Sequence, residues 1–340
     1  MAVDKSKAAF GLLHKPMLAL VLIADVWIVF FPSPELGKYV MPVLQAAVFW
    51  AQNMVCLVTG DKPMTPETFE GEFPVATVIP LSLAMVLGFF LAERIVEFVS
   101  KRFAEPTDAP KFAECFVRCS YYTIMFFVAL YVISTEDYWP NTRNCWVKSQ
   151  ATGEHRQPKP MILQVNYIVE LSYYISGIVL HTLVDEKLTD FWIMLLHHVV
   201  TVCLLAFSYF HNFHRIGMLV LMVHDVSDIF LDSGKCFHFL KWESFATVTF
   251  VGLITSWAMY RLYLYPTKLL YSAAFEGYEV TFVDEGHEPF TMFYLLNIWL
   301  NILQVLHVYW FYLILKVAYK HLMEGELRDV RMEKDAKKAQ

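Results

Sequence analysis

Apolar residues in this chain come in long runs separated by short polar stretches, and the runs are long enough to cross a bilayer core as helices. Windows near 16–32, 37–58, 76–99, 115–134, 164–184, 191–211, 215–232, 244–264 and 291–317 predict eight or nine spans. The strongest interruption is KRFAEPTDAPKFAE at 101–114, which sets an N-terminal hairpin-like region apart from six later spans. No internal repeat or low-complexity tract is present. The expected fold class is all-α, a polytopic membrane helix bundle with two or three hydrophobic helices ahead of the six.

Composition agrees. Of 340 residues 57% are hydrophobic and 18% charged, and the mean hydropathy is +0.43, too apolar for a soluble globular chain of this size. A net charge of −6 without a long basic block leaves no footprint for nucleic acid, which is dropped as a partner. Cys56, Cys115, Cys119, Cys145, Cys203 and Cys236 form no CxxC pair, so neither a zinc site nor a disulfide framework is indicated. The first apolar run follows a Lys-bearing start but ends at Phe31-Pro32-Ser33-Pro34 without an A-x-A-like site, and reads as an uncleaved anchor.

Charge sorts the loops, because Lys and Arg mark the cytosolic side. Loop 100–114 carries Lys101, Arg102 and Lys111, and the tail carries Lys320, Arg328, Arg331, Lys334, Lys337 and Lys338. By contrast 59–75 has only Lys62, and 265–290 has only Lys268 against five acidic residues. Six spans between the two basic segments put both on one side, assigned to the cytosol. The N-terminal side stays open: nine spans would leave Lys5, Lys7 and Lys15 in the lumen, unless 37–58 does not fully cross. The closing KKAQ resembles a dilysine retrieval signal, so an endoplasmic reticulum membrane location with a cytosolic C-terminus is expected.

Ionisable groups inside spans change the picture, since each costs about 2.5–3.5 kcal/mol and normally marks a functional path. The run LLHHVVTVCLL holds His197 and His198, and RIGMLVLMVHDVSDIFLDSGK holds His224, Asp225, Asp228 and Asp232 at i,i+3 and i,i+4 spacings, an acidic stripe along one helical side. His197 and His198 lie ~9 Å from the cytosolic face and His224 and Asp225 ~11 to 12 Å from it, one shared layer. The last span adds Asn297, Asn301, Gln304 and His307, with the last two in the same half. Three helices therefore offer polar groups to one pocket open toward cytosolic substrates.

An imidazole beside a carboxylate takes a proton from an attacking nucleophile or attacks an acyl group itself, so acyl transfer fits. Interhelical hydrogen bonding is the bland alternative. An iron pair of the membrane-hydroxylase kind needs further histidine boxes: the chain offers HNFH at 211–214, but fourteen residues separate His211 from His197, ~21 Å on one helix. His211 and His214 are expected to be solvated or interfacial, and no metal is expected.

The stretch from Asn166 to Lys235 closely resembles the signature region of ceramide synthases, through its DEKxxDFxxMxxHHxxT run, SYxxNxxRIG turn and HDxSDxxL segment. Similarity extends to Cys145-Trp146, Arg261 with Pro266, LQVLHVYW at 303–310 and LRDVR at 327–331. The resemblance implies a six-span TLC domain at about 111–322, after an N-terminal hydrophobic region at 1–75 and a span with linker at 76–110, and before a cytosolic tail at 323–340. With no homeobox-like insert, the chain resembles the fungal, plant or protist type more than most animal members.

What the resemblance implies is N-acylation of a sphingoid base by a fatty acyl-CoA to give ceramide or dihydroceramide, with His197, His198, Asp225 and Asp228 as the essential positions and acyl-chain choice around loop 265–290. Acyl-CoA is then a co-substrate and no cofactor is expected. Membrane lipids are expected neighbours, and a homodimer, heterodimer or small accessory subunit is left open. His224, Ser227, Tyr174, Arg215, Lys235, Gln304 and His307 are expected to contact substrate, with the CoA head near Lys187, Lys235 and Lys241. Tyr173, Glu170 and His181 either line the pocket or tie helices together. The reading from another class is a non-catalytic TLC-domain protein that binds, senses or transports lipid.

Overall fold

The computed structural model describes residues 78–147, 159–183, 190–284, 286 and 290–324. The first two candidate spans, loop 59–75, Lys187 and the basic end of the tail lie outside the described residues. Among the described residues seven long helices run up and down: α1 Val78–Ser100, α2 Ala109–Ser134, α3 Met161–Leu183, α4 Phe191–Phe210, α5 His214–Phe239, α6 from Glu243 to Asp284, and α7 Thr291–Glu324. No strand occurs among the described residues. The protein is a multi-pass membrane protein: six of these helices, all but α5, are long and apolar enough to cross a bilayer.

Local chemistry sets the helix ends. Pro110 occupies the first turn of α2, where its missing N–H costs nothing. Asn212 after α4 and Lys241 after α5 take left-handed conformations, φ 60° and 62°. Each is the hinge of a Schellman turn: Phe213 N–H donates to Ser208 O and Trp242 N–H to Phe237 O, the six-to-one bonds of that motif. Three-residue links at both ends of α5 therefore hold it in tight hairpins with α4 and α6.

The helices α2, α3, α4, α7, α6 and α5 pack in that order as a closed ring, with α1 outside against α2 and α3. We call the side holding the α1–α2 loop the basic end and the opposite side the acidic end. Of the 26 residues of α5, 18 are buried and none is exposed. This enclosure explains how a helix with Arg215, Asp225, Asp228, Asp232 and Lys235 sits in an apolar bundle. It also disperses the acidic stripe expected along one side: Asp228 turns to Arg261 on α6, whereas Asp232 turns to Arg118 on α2.

Segment 265–284, expected as loop, is helix. From Trp257 onward α6 widens to π-type turns, with Pro266 inside, and continues to Asp284. Trp257, Arg261, Tyr265, Leu269, Ala273 and Gly277 are all buried, four residues apart. On an α-helix every fourth residue drifts by about 40°, and the wider i→i+5 turns offset that drift, keeping the series on the core side. The acidic residues that read as loop are anchors: Arg143 donates to Glu279 at 2.8 Å and to Asp284 at 2.7 Å, and Thr142 donates to Glu276 at 2.8 Å.

Candidate functional site

An apolar cavity lies within the ring. Its head is formed by Tyr174 of α3, His197 of α4 and His224 of α5; its far end, toward the acidic end of the bundle, is closed by Trp146, Phe213 and Phe293. Between them the wall is leucine, isoleucine and valine from α4, α5 and α7, with Thr201, Ser208 and Asn297 as the polar interruptions. From His197 to Ser208 along α4 the lining covers eleven residues, ~16 Å. The space is long, narrow and apolar, with imidazoles at one end.

The floor is built by the turn Thr142–Cys145 and Trp146 clasped onto the π-type part of α6. Trp146 Nε1 donates to Ser272 Oγ at 2.9 Å, and Ser272 donates to Thr142 O at 3.3 Å. Gly277 gives the indole room here: a Cβ would stand 3.0 Å from three of its atoms, a tight approach.

At the head, His197 packs edge-on to Trp310, 5.3 Å between ring centroids, and 6.0 Å from Tyr174. His198 shares Tyr174 as a neighbour, at 5.8 Å, but otherwise packs onto Gly177, where a Cβ would lie 3.1 Å from its Cε1, and toward His181 at 6.0 Å. The two adjacent imidazoles thus serve different surroundings, as the turn of about 100° per residue requires.

His224 is held by a directed chain. Its Nδ1 lies 2.6 Å from Val220 O and its Nε2 2.8 Å from His307 Nε2. A carbonyl only accepts, so Nδ1 carries the proton; the neutral ring then accepts at Nε2, and His307 donates. Trp257 Nε1 donates to His307 O at 3.1 Å, fixing the backbone behind the pair.

The carboxylates stand behind the cavity wall. Neither Asp225 nor Asp228 lines the cavity. Asp228 accepts from Arg261 Nη2 at 2.7 Å. Asp225 is 2% exposed, and its Oδ2 has no hydrogen-bond partner among the described residues. Glu170 accepts from Tyr121 at 3.1 Å and lies in the same electrostatic field as Asp225 and Tyr174.

The other expected contacts divide. His307 is fully buried behind His224, and Ser227 is buried without lining the cavity. Gln304 is half-buried and likewise outside the cavity lining, and Asn301 is exposed. Lys235 stands 3.8 Å from Asp232 nearer the basic end, and Lys241 pairs with Asp108 at 2.7 Å. Tyr173 stacks on Tyr121 at 3.9 Å, and His181 bonds Phe191 O at 3.0 Å.

Two expectations are corrected. Arg215 does not line the cavity: as the second residue of α5 it sits at the acidic end, donates to Asn144 O at 3.1 Å, pairs with Glu136 at 3.3 Å and covers Tyr138. His214 is fully buried, because it opens α5 facing inward, where Tyr167 donates to its carbonyl at 3.0 Å; His211 is exposed as expected. Arg261 carries more of the site than the sequence reading gave it. The available signal was an arginine within SWAMYRLYLYP, an ionisable group in an apolar stretch.

Residues 111–316 match the TLC domain family. The chain is 33% identical over 242 residues to ceramide synthase hyl-1 of Caenorhabditis elegans, covering 69% of this chain and 64% of that protein. To ceramide synthase hyl-2 of the same worm it is 32% identical, covering 66% of this chain and 68% of the relative. Bovine ceramide synthase 4 is 36% identical, with 66% of this chain and 55% of that protein covered. The chain thus spans between about half and two thirds of the length of these relatives.

Proposed function

Because the chain belongs to the TLC domain family, within its ceramide synthase branch, we propose that it transfers a fatty acyl group from acyl-CoA to the amine of a sphingoid long-chain base, giving ceramide or dihydroceramide. The observation that carries this reading is an apolar cavity within the ring headed by His197 and His224. A long acyl chain is a ligand such a wall suits, and a thioester at its head meets two imidazoles.

The balance is simple. The sphingoid ammonium loses a proton, the free amine attacks the thioester carbonyl, the C–S bond breaks, and CoA leaves and is protonated, with one proton released overall. The reaction balances with the two substrates alone. His197 removes the ammonium proton or takes the acyl group as an acyl-imidazole before the amine attacks. His198, with different neighbours, has a separate task. Between them, Asp225 and Asp228 hold the amine's charge and orient an imidazole, in surroundings where attraction is stronger than in water.

The basic end is read as cytosolic, with the C-terminus on that side and the membrane as that of the endoplasmic reticulum. The CoA head then lies at the basic end near Lys235, while the acyl chain extends toward Trp146. A partner subunit, of this chain or another, remains compatible with the outward apolar faces.

The test is incubation of the purified full-length protein in lipid with labelled sphinganine and acyl-CoA. Ceramide is expected from the wild type and not from His197→Ala. Well-folded wild type that binds both lipids and yields no ceramide would overturn the reading in favour of a binding protein.

A further inference from the structure

Asp225 and Asp228 lie one turn apart on α5 but keep different company. Asp228 has a cation of the protein's own: Arg261 Nη2 donates to its Oδ2 at 2.7 Å, and the same nitrogen donates to His224 O at 2.8 Å. The Arg261 side chain is 4% exposed and lies over Trp257, 4.0 Å from the ring centroid. Trp257 in turn donates to His307 O. One guanidinium thus ties together Asp228, the backbone under His224 and, through the indole, the backbone of His307. Asp225 has no such partner. It is deeply buried, its Oδ2 is unbonded among the described residues, and Arg261, bonded to Asp228, makes no ion pair with it. Burying a carboxylate without a bonded counter-charge is costly, and a cation that arrives with the substrate removes that cost.

Resting on the acyl-transfer reading, we propose that Arg261 divides the labour of the two aspartates. Arg261 is a positioning residue that neutralises Asp228 and fixes the His224–His307 pair, and Asp225 seats the ammonium group of the long-chain base. Asp228 then acts on the reaction only through the arginine. Lysine at 261 would not substitute fully, because one ammonium lacks the planar fork that serves a carboxylate and a carbonyl together.

The experiment is steady-state kinetics of the purified full-length protein in both substrates. Asp225→Asn is expected to raise KM for sphinganine at least about tenfold while leaving KM for acyl-CoA unchanged. Arg261→Gln and Asp228→Asn are each expected to lower kcat about tenfold or more with KM for sphinganine little changed. The double variant should be no slower than the slower single one, the non-additivity of residues acting as a unit. It should also be recovered in better yield than either single variant, because it leaves no lone buried charge. If Arg261→Gln does not fold, the double variant carries the comparison. Its KM for sphinganine staying near wild type supports the division, and a rise matching that of Asp225→Asn overturns it. So do multiplicative losses in the double variant. Absence of ceramide from the wild type would instead defeat the acyl-transfer reading itself.

Discussion

His224 and His307 meet nitrogen to nitrogen, Nε2 to Nε2 at 2.8 Å, from helices eighty-three positions apart in the chain. One imidazole heads the cavity and the other, fully buried behind it, supplies the proton of the bond. Replacing His307 by Leu leaves a buried acceptor unpaired, a loss of about 1–3 kcal/mol in stability. Acyl transfer should fall with it, and His307→Gln, which keeps a donor, should recover part of both. Thermal unfolding in detergent alongside product formation checks this; a Leu variant indistinguishable from wild type in both would refute it.

The floor of the cavity gives a second expectation. A side chain at Gly277 meets the Trp146 indole at 3.0 Å, and the ring has the cavity on its other side. Gly277→Val should push the indole inward and move acyl-CoA preference toward shorter chains. A panel of acyl-CoAs of graded length reads the result, and an unchanged profile in a folded variant counts against it.

Gly217 tests packing rather than chemistry. A Cβ there would lie 1.8 Å from the Tyr167 hydroxyl, which bonds His214 O and Ser208. Gly217→Ala therefore costs about 1–3 kcal/mol through overpacking and displaced hydrogen bonds. The companion change Tyr167→Phe should relieve most of it, measurable as recovery of the melting temperature.

At the acidic end, burial raises the Glu136 carboxyl above its ordinary value, opposed by the charge of Arg215. A raised carboxyl favours the folded state at low pH, and that contribution is lost as pH climbs through the folded-state value. Arg215→Met removes the opposing charge, so the variant should be less stable than wild type near neutrality, with the gap narrowing on acidification. Melting curves across the acidic range decide it; a gap that widens as pH falls contradicts the pairing. Because Arg215 is remote from the cavity head, KM for the long-chain base should change little.

Much of this site was legible in the chain. Long apolar runs placed most helix starts within a few residues but ended α6 at 264 instead of 284, and His197, His224 and His307 reached one layer because helical rise fixes depth. Rotation is what the sequence could not supply. Asp225 and Asp228 share the right depth yet stand behind the cavity wall, since the face that each side of α5 meets depends on packing against α2 and α6. Arg215 was misplaced because its partners, Asn144 and Glu136, lie in a turn whose return onto α5 no local pattern announces. Segment 265–284 read as loop because Pro266 and its acids ordinarily end helices, whereas widened turns and Arg143 sustain this one.

The enclosure of α5 bears on how the protein is made. A segment carrying this many ionisable groups partitions poorly into lipid when it emerges alone, yet both of its neighbours in sequence are apolar enough to cross a bilayer and joined to it by three-residue turns. Its insertion must therefore be cooperative, with α4 and α6 escorting it from the translocon and α2 waiting to cover its flank. Substitutions that loosen either hairpin should first appear as failed membrane integration and rapid turnover, before any catalytic defect is seen.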